Sequence, residues 1–153
     1  DAIGDGFING QAIQIEQQSG SKPFMKTADE LGIPAYDENV IVADPKRLAS
    51  DPEYQAMVKA FLAAFYEGVT DANKHVSEVT SLMEQVTNRD ADYLKASVPL
   101  SLELMLPSSG DLGCLSVDRY EKFSAWMVEK DLIVETPDLN DLIDNSYLPA
   151  SCE

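Results

Sequence analysis

The helix announced by Asp51-Pro52-Glu53 constrains this chain more than any other feature. Asp51 is suited to cap the free N–H groups of the first turn, Pro52 fits the first helical position where no donor is needed, and Glu53 favours the positive end of the dipole. Apolar residues then fall at Tyr54, Met57, Val58, Phe61, Leu62, Phe65 and Val69, the three-and-four spacing of one buried face, while Glu53, Gln55, Lys59 and Glu67 take the other side. Such a stripe needs an apolar layer to cover it, and the sequence just upstream predicts a sheet. Asn39-Val40-Ile41-Val42-Ala43 is β-branched, too short for a helix and too continuously apolar for a half-exposed hairpin strand, so it reads as a buried strand. With a linker through Asp44-Pro45, the order is strand, loop, capped helix, as in a chain crossing from one lobe to another.

The rest of the chain reads as mostly helical. Asp1 to Gly4 is expected as a strand ending in a Gly-rich turn, Gln11 to Gln18 as a helix stopped by Ser19-Gly20-Ser21, and Phe24-Met25 as a short strand. Val76, Val79, Leu82, Met83 and Val86 mark a second helix, with Asn88-Arg89-Asp90 as its stop and the next start. A third helix from about Asp92 contains Pro99, which must kink or interrupt it. Pro107-Ser108-Ser109-Gly110 reads as a loop. Ser116 caps the last long helix, with Val117, Tyr120, Phe123, Trp126 and Met127 inward, and Thr136-Pro137-Asp138 introduces a short final one. Helix should clearly exceed strand.

With 153 residues and 44% apolar content, the chain can build a core and is not disordered. A net charge of -16, from 27 acidic against 11 basic residues, argues against nucleic acid, whose phosphates call for clustered Lys and Arg, and against an anionic membrane surface. Solubility is one reading of that charge and docking on a basic partner another. No stretch approaches the roughly 20 apolar residues that span a bilayer. The opening Asp1-Ala2-Ile3-Gly4 has neither a basic n-region nor an apolar h-region, so the expectation is that something precedes it.

Cys114 and Cys152 have neither metal-ligand spacing nor a Cys-x-x-Cys motif, and a bridge or two free thiols both suit them. His75, the sole histidine, follows Asn73-Lys74 at a helix junction and reads as a solvated helix end rather than a catalytic base. Neither G-x-G-x-x-G nor a Walker motif is present, so nucleotide binding is not supported. No cofactor is expected.

Gly32-Ile33-Pro34-Ala35-Tyr36, Asn39 to Ala43, Asp51-Pro52-Glu53 and Phe61-Leu62-Ala63-Ala64-Phe65-Tyr66-Glu67-Gly68, in that order, resemble ABC-transporter substrate-binding proteins of the thiamine-precursor (pyrimidine-binding) type. Gly113-Cys114-Leu115-Ser116, then Trp126 to Ile133 and Asn145 to Pro149, resemble that family's closing helix and tail. The resemblance implies an α/β fold: the C-terminal portion of a type II periplasmic-binding-protein fold, helix-rich with a few short strands. It implies residues 1–35 as the end of a second lobe with a cleft turn, 36–50 as a hinge crossing strand and linker, and 51–153 as the helical part of a first lobe with its tail. It further implies an extracytoplasmic location, a small-molecule ligand, an ABC permease as partner, and no catalysis. In that setting Cys114 and Cys152 would tie the tail onto the last long helix. Relatives often carry a helix-ending Gly where Asp131 stands, and Asp tolerates the left-handed conformation better than most residues. Read as a fragment, the chain is expected to bind no ligand tightly by itself and to self-associate through exposed sheet edges.

In open α/β sheets ligands bind beyond the carboxyl ends of the strands, which selects the turn Gly4-Asp5-Gly6-Phe7-Ile8-Asn9-Gly10-Gln11. Family members tend to show an aromatic, then Asn, then an acid at alternate positions. Phe7 and Asn9 match, while Gln11 replaces the acid. An aromatic can stack on a flat heterocycle and the two amides can pair with ring nitrogens and an exocyclic amine, although neutral Gln11 cannot meet a protonated aminopyrimidine as a carboxylate does. The bland alternative is Phe7 in a core and Asn9 as a turn or cap residue. The candidate ligand-binding residues are Gly4, Asp5, Phe7, Asn9 and Gln11, with Tyr36 beside the crossing strand.

The function expected is capture of a small heterocycle, such as an aminopyrimidine thiamine precursor, for an ABC importer. A sulfonate, riboflavin or a related solute is the alternative, although an anion would favour basic donors and the first Lys or Arg is Lys22. A pyrimidine-synthase-like enzyme is the least favoured, since the related synthase has a Cys-rich segment and its own His, whereas here two scattered Cys and one His form no nucleophile and base set.

Overall fold

The computed structural model describes residues 4, 6–106, 112–150 and 152, and these hold six α-helices. They are α1 (Gln11–Ser19), α2 (Pro45–Ser50), α3 (Pro52–Lys74), α4 (Val76–Val86), α5 (Ala91–Met105) and α6 (Val117–Glu129). Two short 3-10 turns, Asp29–Leu31 and Asn145–Tyr147, complete the regular structure.

Side chains named by the sequence start most of these helices. The Asp51 carboxylate accepts from the Tyr54 N–H at 3.0 Å, Asp90 from the Asp92 and Tyr93 N–H groups at 3.0 Å each, and Ser116 from the Arg119 N–H at 3.3 Å. His75 occupies the N-cap position of α4 without a side-chain capping bond. α5 continues through Pro99, so the proline does not interrupt it. The Asp44-Pro45 pair, read as linker, opens α2 instead: Asp44 accepts from the Lys46 and Arg47 N–H groups at 2.9 and 3.3 Å.

The chain forms two compact units. One joins Asp1–Phe24 to Phe65–Leu112. Its centre is Leu94, Val98 and Leu102 on α5, against which Ala72, Val76, Val79, Met83 and Tyr93 pack. Leu94 is only 3% exposed, and α1 and α4 both lie on α5. Val76, Val79 and Met83 are thus inward as the spacing predicts, whereas Leu82 and Val86 face solvent.

The other unit joins Met25–Ala64 to Gly113–Glu153. Tyr36 stacks on Phe123 of α6 with centroids 4.8 Å apart, and Phe123 on Trp126 at 5.8 Å. α6 ends in a Schellman motif: the Leu132 N–H donates to the Met127 carbonyl at 2.8 Å and the Asp131 N–H to that of Val128 at 3.0 Å. Asp131 takes the left-handed conformation there, with φ 57°. Val117 is exposed rather than inward, and Ser124 is the most buried residue of the helix. The expected final helix after Asp138 is a hydrogen-bonded turn, closed by Ile143 N–H on the Leu139 carbonyl at 2.9 Å. Cys114 and Cys152 are disulfide-bonded. Asn145 adds a second tie, its side chain accepting from the Leu115 N–H at 3.0 Å and donating to the Leu115 carbonyl at 2.8 Å.

The α/β expectation is corrected: the described residues contain no strand. A β-branched run becomes a strand only where a neighbouring backbone offers a ladder. Residues 40–43 have no such neighbour; their backbone makes no hydrogen bond with the described residues, and Val42 is 85% exposed. Phe24-Met25 is likewise irregular, with Phe24 90% exposed. The α3 stripe therefore meets no sheet, and Met57 and Phe61 remain exposed. The strand expected over Asp1 to Gly4 and the loop at 107–110 lie outside the described residues, apart from Gly4, which is an exposed bend.

Candidate functional site

The turn before α1 is organised by its own side chains. Gln11 Oε1 accepts from the Phe7 N–H at 2.9 Å, while the Phe7 carbonyl accepts from Gly10 N–H at 3.1 Å and Ala12 N–H at 3.2 Å. These bonds occupy orphan donors at the start of α1, where no residue acts as a side-chain N-cap. Asn9 anchors the turn to α5: its amide donates to Ser101 Oγ at 2.9 Å, and its carbonyl accepts from the Ser97 hydroxyl at 2.5 Å. Ser97 is buried, so its hydroxyl needs this partner.

The backbone of the turn is thus held at both ends while the Phe7 ring stays 45% exposed, outside the core. An aromatic face on a fixed turn can stack on a planar ligand without ordering a loop first. The structure brings Phe7, Asn9 and Gln11 together, with Gly4 exposed just ahead of them; Asp5 lies outside the described residues. Ser97 and Ser101 were not anticipated. Their signal is a pair of hydroxyls four apart on a helix whose neighbouring positions, Leu94, Val98 and Leu102, are apolar.

Tyr36 belongs to the other unit, in its stack with Phe123 and with its hydroxyl donating to Glu38 at 3.1 Å. Beside it, Arg119 donates to Asp37 Oδ1 at 2.6 Å, while Asp37 Oδ2 is buried without a hydrogen-bond partner. Burial first, and then the Asp37 charge, raise the Tyr120 hydroxyl above its ordinary pKa. This cluster couples the start of the crossing segment to α6.

His75 lies at the α3–α4 junction, its Nδ1 3.0 Å from the Asp71 carbonyl and 3.2 Å from the Asp71 carboxylate. A shallow cavity of about 290 Å³ there is lined only by Lys74, His75, Val76, Ser77 and Glu78, one continuous stretch with no facing wall. No group of His, Cys, Asp or Glu among the described residues could hold a metal ion, and no helix among them is long and apolar enough to cross a membrane.

A helical unit carrying a solvent-facing aromatic on a pinned turn suits a binding protein. A family model described as NMT1/THI5 like matches residues 1–79, half of the chain and all of this turn. The chain belongs to the NMT1/THI5-like family, whose members are ABC substrate-binding proteins for thiamine precursors and related solutes. That membership gives it a solute-binding role in ABC transport, with a small-molecule ligand and a permease partner in general terms. The closing phrases from Gly113 onward lie beyond the matched residues. No curated protein and no solved structure matches the chain.

Proposed function

We propose that the chain supplies one wall of a site for a small planar heterocycle, such as an aminopyrimidine thiamine precursor, with Phe7 as the stacking face. The observation that carries this reading is the contrast at the turn: Gln11 and Asn9 fix its backbone while the Phe7 ring stays open to solvent. Asn9 and Gln11 act first as positioning residues, since each already spends a hydrogen-bonding atom within the protein. Gly4 and Asp5 precede the turn and border the same wall.

Residues 36–50 serve as the crossing between lobes, with Tyr36 at its start, residues 1–35 carry the cleft turn, and 51–153 form the rest of the first lobe. The output is capture and delivery to the permease from an extracytoplasmic compartment, with no covalent chemistry. Oxidation of Cys114 and Cys152 suits such a compartment.

Titration of isotope-labelled protein with hydroxymethylpyrimidine tests the reading. One stacking face gives weak binding, with a Kd of about 1 mM. Saturable amide shifts confined to residues 6–12 support the site; their absence, or equal shifts from a simple sulfonate, would refute it.

A further inference from the structure

The segment Asn39-Val40-Ile41-Val42-Ala43 is the one place where sequence and structure disagree about the backbone. Its composition is that of a strand, yet Val40, Ile41 and Val42 are exposed and residues 40–43 form no backbone hydrogen bond with the described residues. Both of its ends are fixed. On one side Asp37 pairs with Arg119 at 2.6 Å; on the other the Asp44 N–H donates to the Tyr54 hydroxyl at 3.1 Å, and the Asp44 carboxylate caps α2. An extended run held at both ends, with unpaired N–H and C=O groups and β-branched side chains, is a ready strand edge.

From this geometry we infer that residues 39–43 form a β-augmentation surface that accepts an extended, apolar strand with basic flanks from another polypeptide. Charge selects that occupant over a second copy of this chain. Centred on Ile41, antiparallel self-pairing would set Glu38 opposite Asp44, and parallel pairing would set each acid beside its own copy. Like charges facing each other across strands destabilise the pair, and the net charge of -16 opposes close approach of two copies. A strand with Lys or Arg at both ends meets Glu38 and Asp44 with opposite charge. This surface stands apart from the Phe7 turn and does not depend on solute binding.

The test uses the full chain and two peptides, KVTVTVK and its acidic counterpart EVTVTVE. With the basic peptide at saturation, amide hydrogen exchange at alternate residues of 40–43 slows about tenfold or more. The acidic peptide gives no slowing. Alternate residues donate to an added strand, so one of Ile41→Pro and Val42→Pro abolishes basic-peptide binding, and the far-UV spectrum of both stays unchanged because neither N–H is bonded in the free protein. Equal binding of both peptides, binding that survives both prolines, or protection of 40–43 in a self-associated species without peptide overturns the proposal.

Discussion

Asn9 and Ser101, 92 residues apart in sequence, meet through a 2.9 Å hydrogen bond that fastens the turn before α1 to the side of α5. The turn inherits its rigidity from a helix whose own core is Leu94, Val98 and Leu102. Asn9→Ala is expected to destabilise the protein by about 1 kcal/mol, the worth of one hydrogen bond whose partner can turn to water. Urea unfolding measures it, and adding Ser101→Ala should cost little more, since the two side chains act as one interaction.

Asp131 predicts an asymmetric pair of variants. It holds the left-handed position of the motif ending α6, where a Cβ is unfavourable. Asp131→Gly should raise stability by a few tenths of a kcal/mol, and Asp131→Val should lower it by about 1–2 kcal/mol. Thermal unfolding of the two variants decides; a glycine variant less stable than the valine one would contradict the role assigned here.

The disulfide closes a separation of 38 residues, so removing it as Cys114→Ser/Cys152→Ser should cost about 2–4 kcal/mol through the freedom returned to the unfolded chain. Asn145 still ties the tail to Leu115, which predicts that the double variant keeps its native far-UV spectrum. Adding Asn145→Ala should then release the tail, seen as faster amide exchange at Leu115.

At the start of α3, the hydrogen bond from Arg47 holds the Asp51 carboxyl below its ordinary pKa, with the Tyr54 N–H adding to the effect. A carboxyl depressed by folding contributes stability above its unfolded pKa and loses it as pH falls through the lower, folded value. The α3 N-terminus should therefore fray only on acidification below the usual Asp range. Arg47→Ala should move the Asp51 titration upward, followed by its carboxyl carbon shift; an unmoved titration would contradict the assignment.

Helix boundaries were legible because caps are local: Asp51, Asp90 and Ser116 act within three residues of their own position. Asp131 was legible for the same reason. The strands were not, because Val40 to Ala43 carries a propensity that only a neighbouring backbone can convert into a ladder. α2 was missed although Asp44-Pro45 repeats the Asp51-Pro52 signature, since its six residues show too little periodicity. At the candidate site, Phe7, Asn9 and Gln11 were readable as a turn, but the anchoring serines are long-range partners that no local pattern announces.

The most direct measurement compares hydroxymethylpyrimidine binding by the parent chain with that of Phe7→Ala and Phe7→Tyr, followed by amide shifts of residues 6–12. The account predicts that Phe7→Tyr binds as the parent does and that Phe7→Ala loses about tenfold or more in affinity, the worth of a stacked ring, with α1 and α5 unchanged. Equal affinity for Phe7→Ala and the parent, with the fold intact, would contradict it.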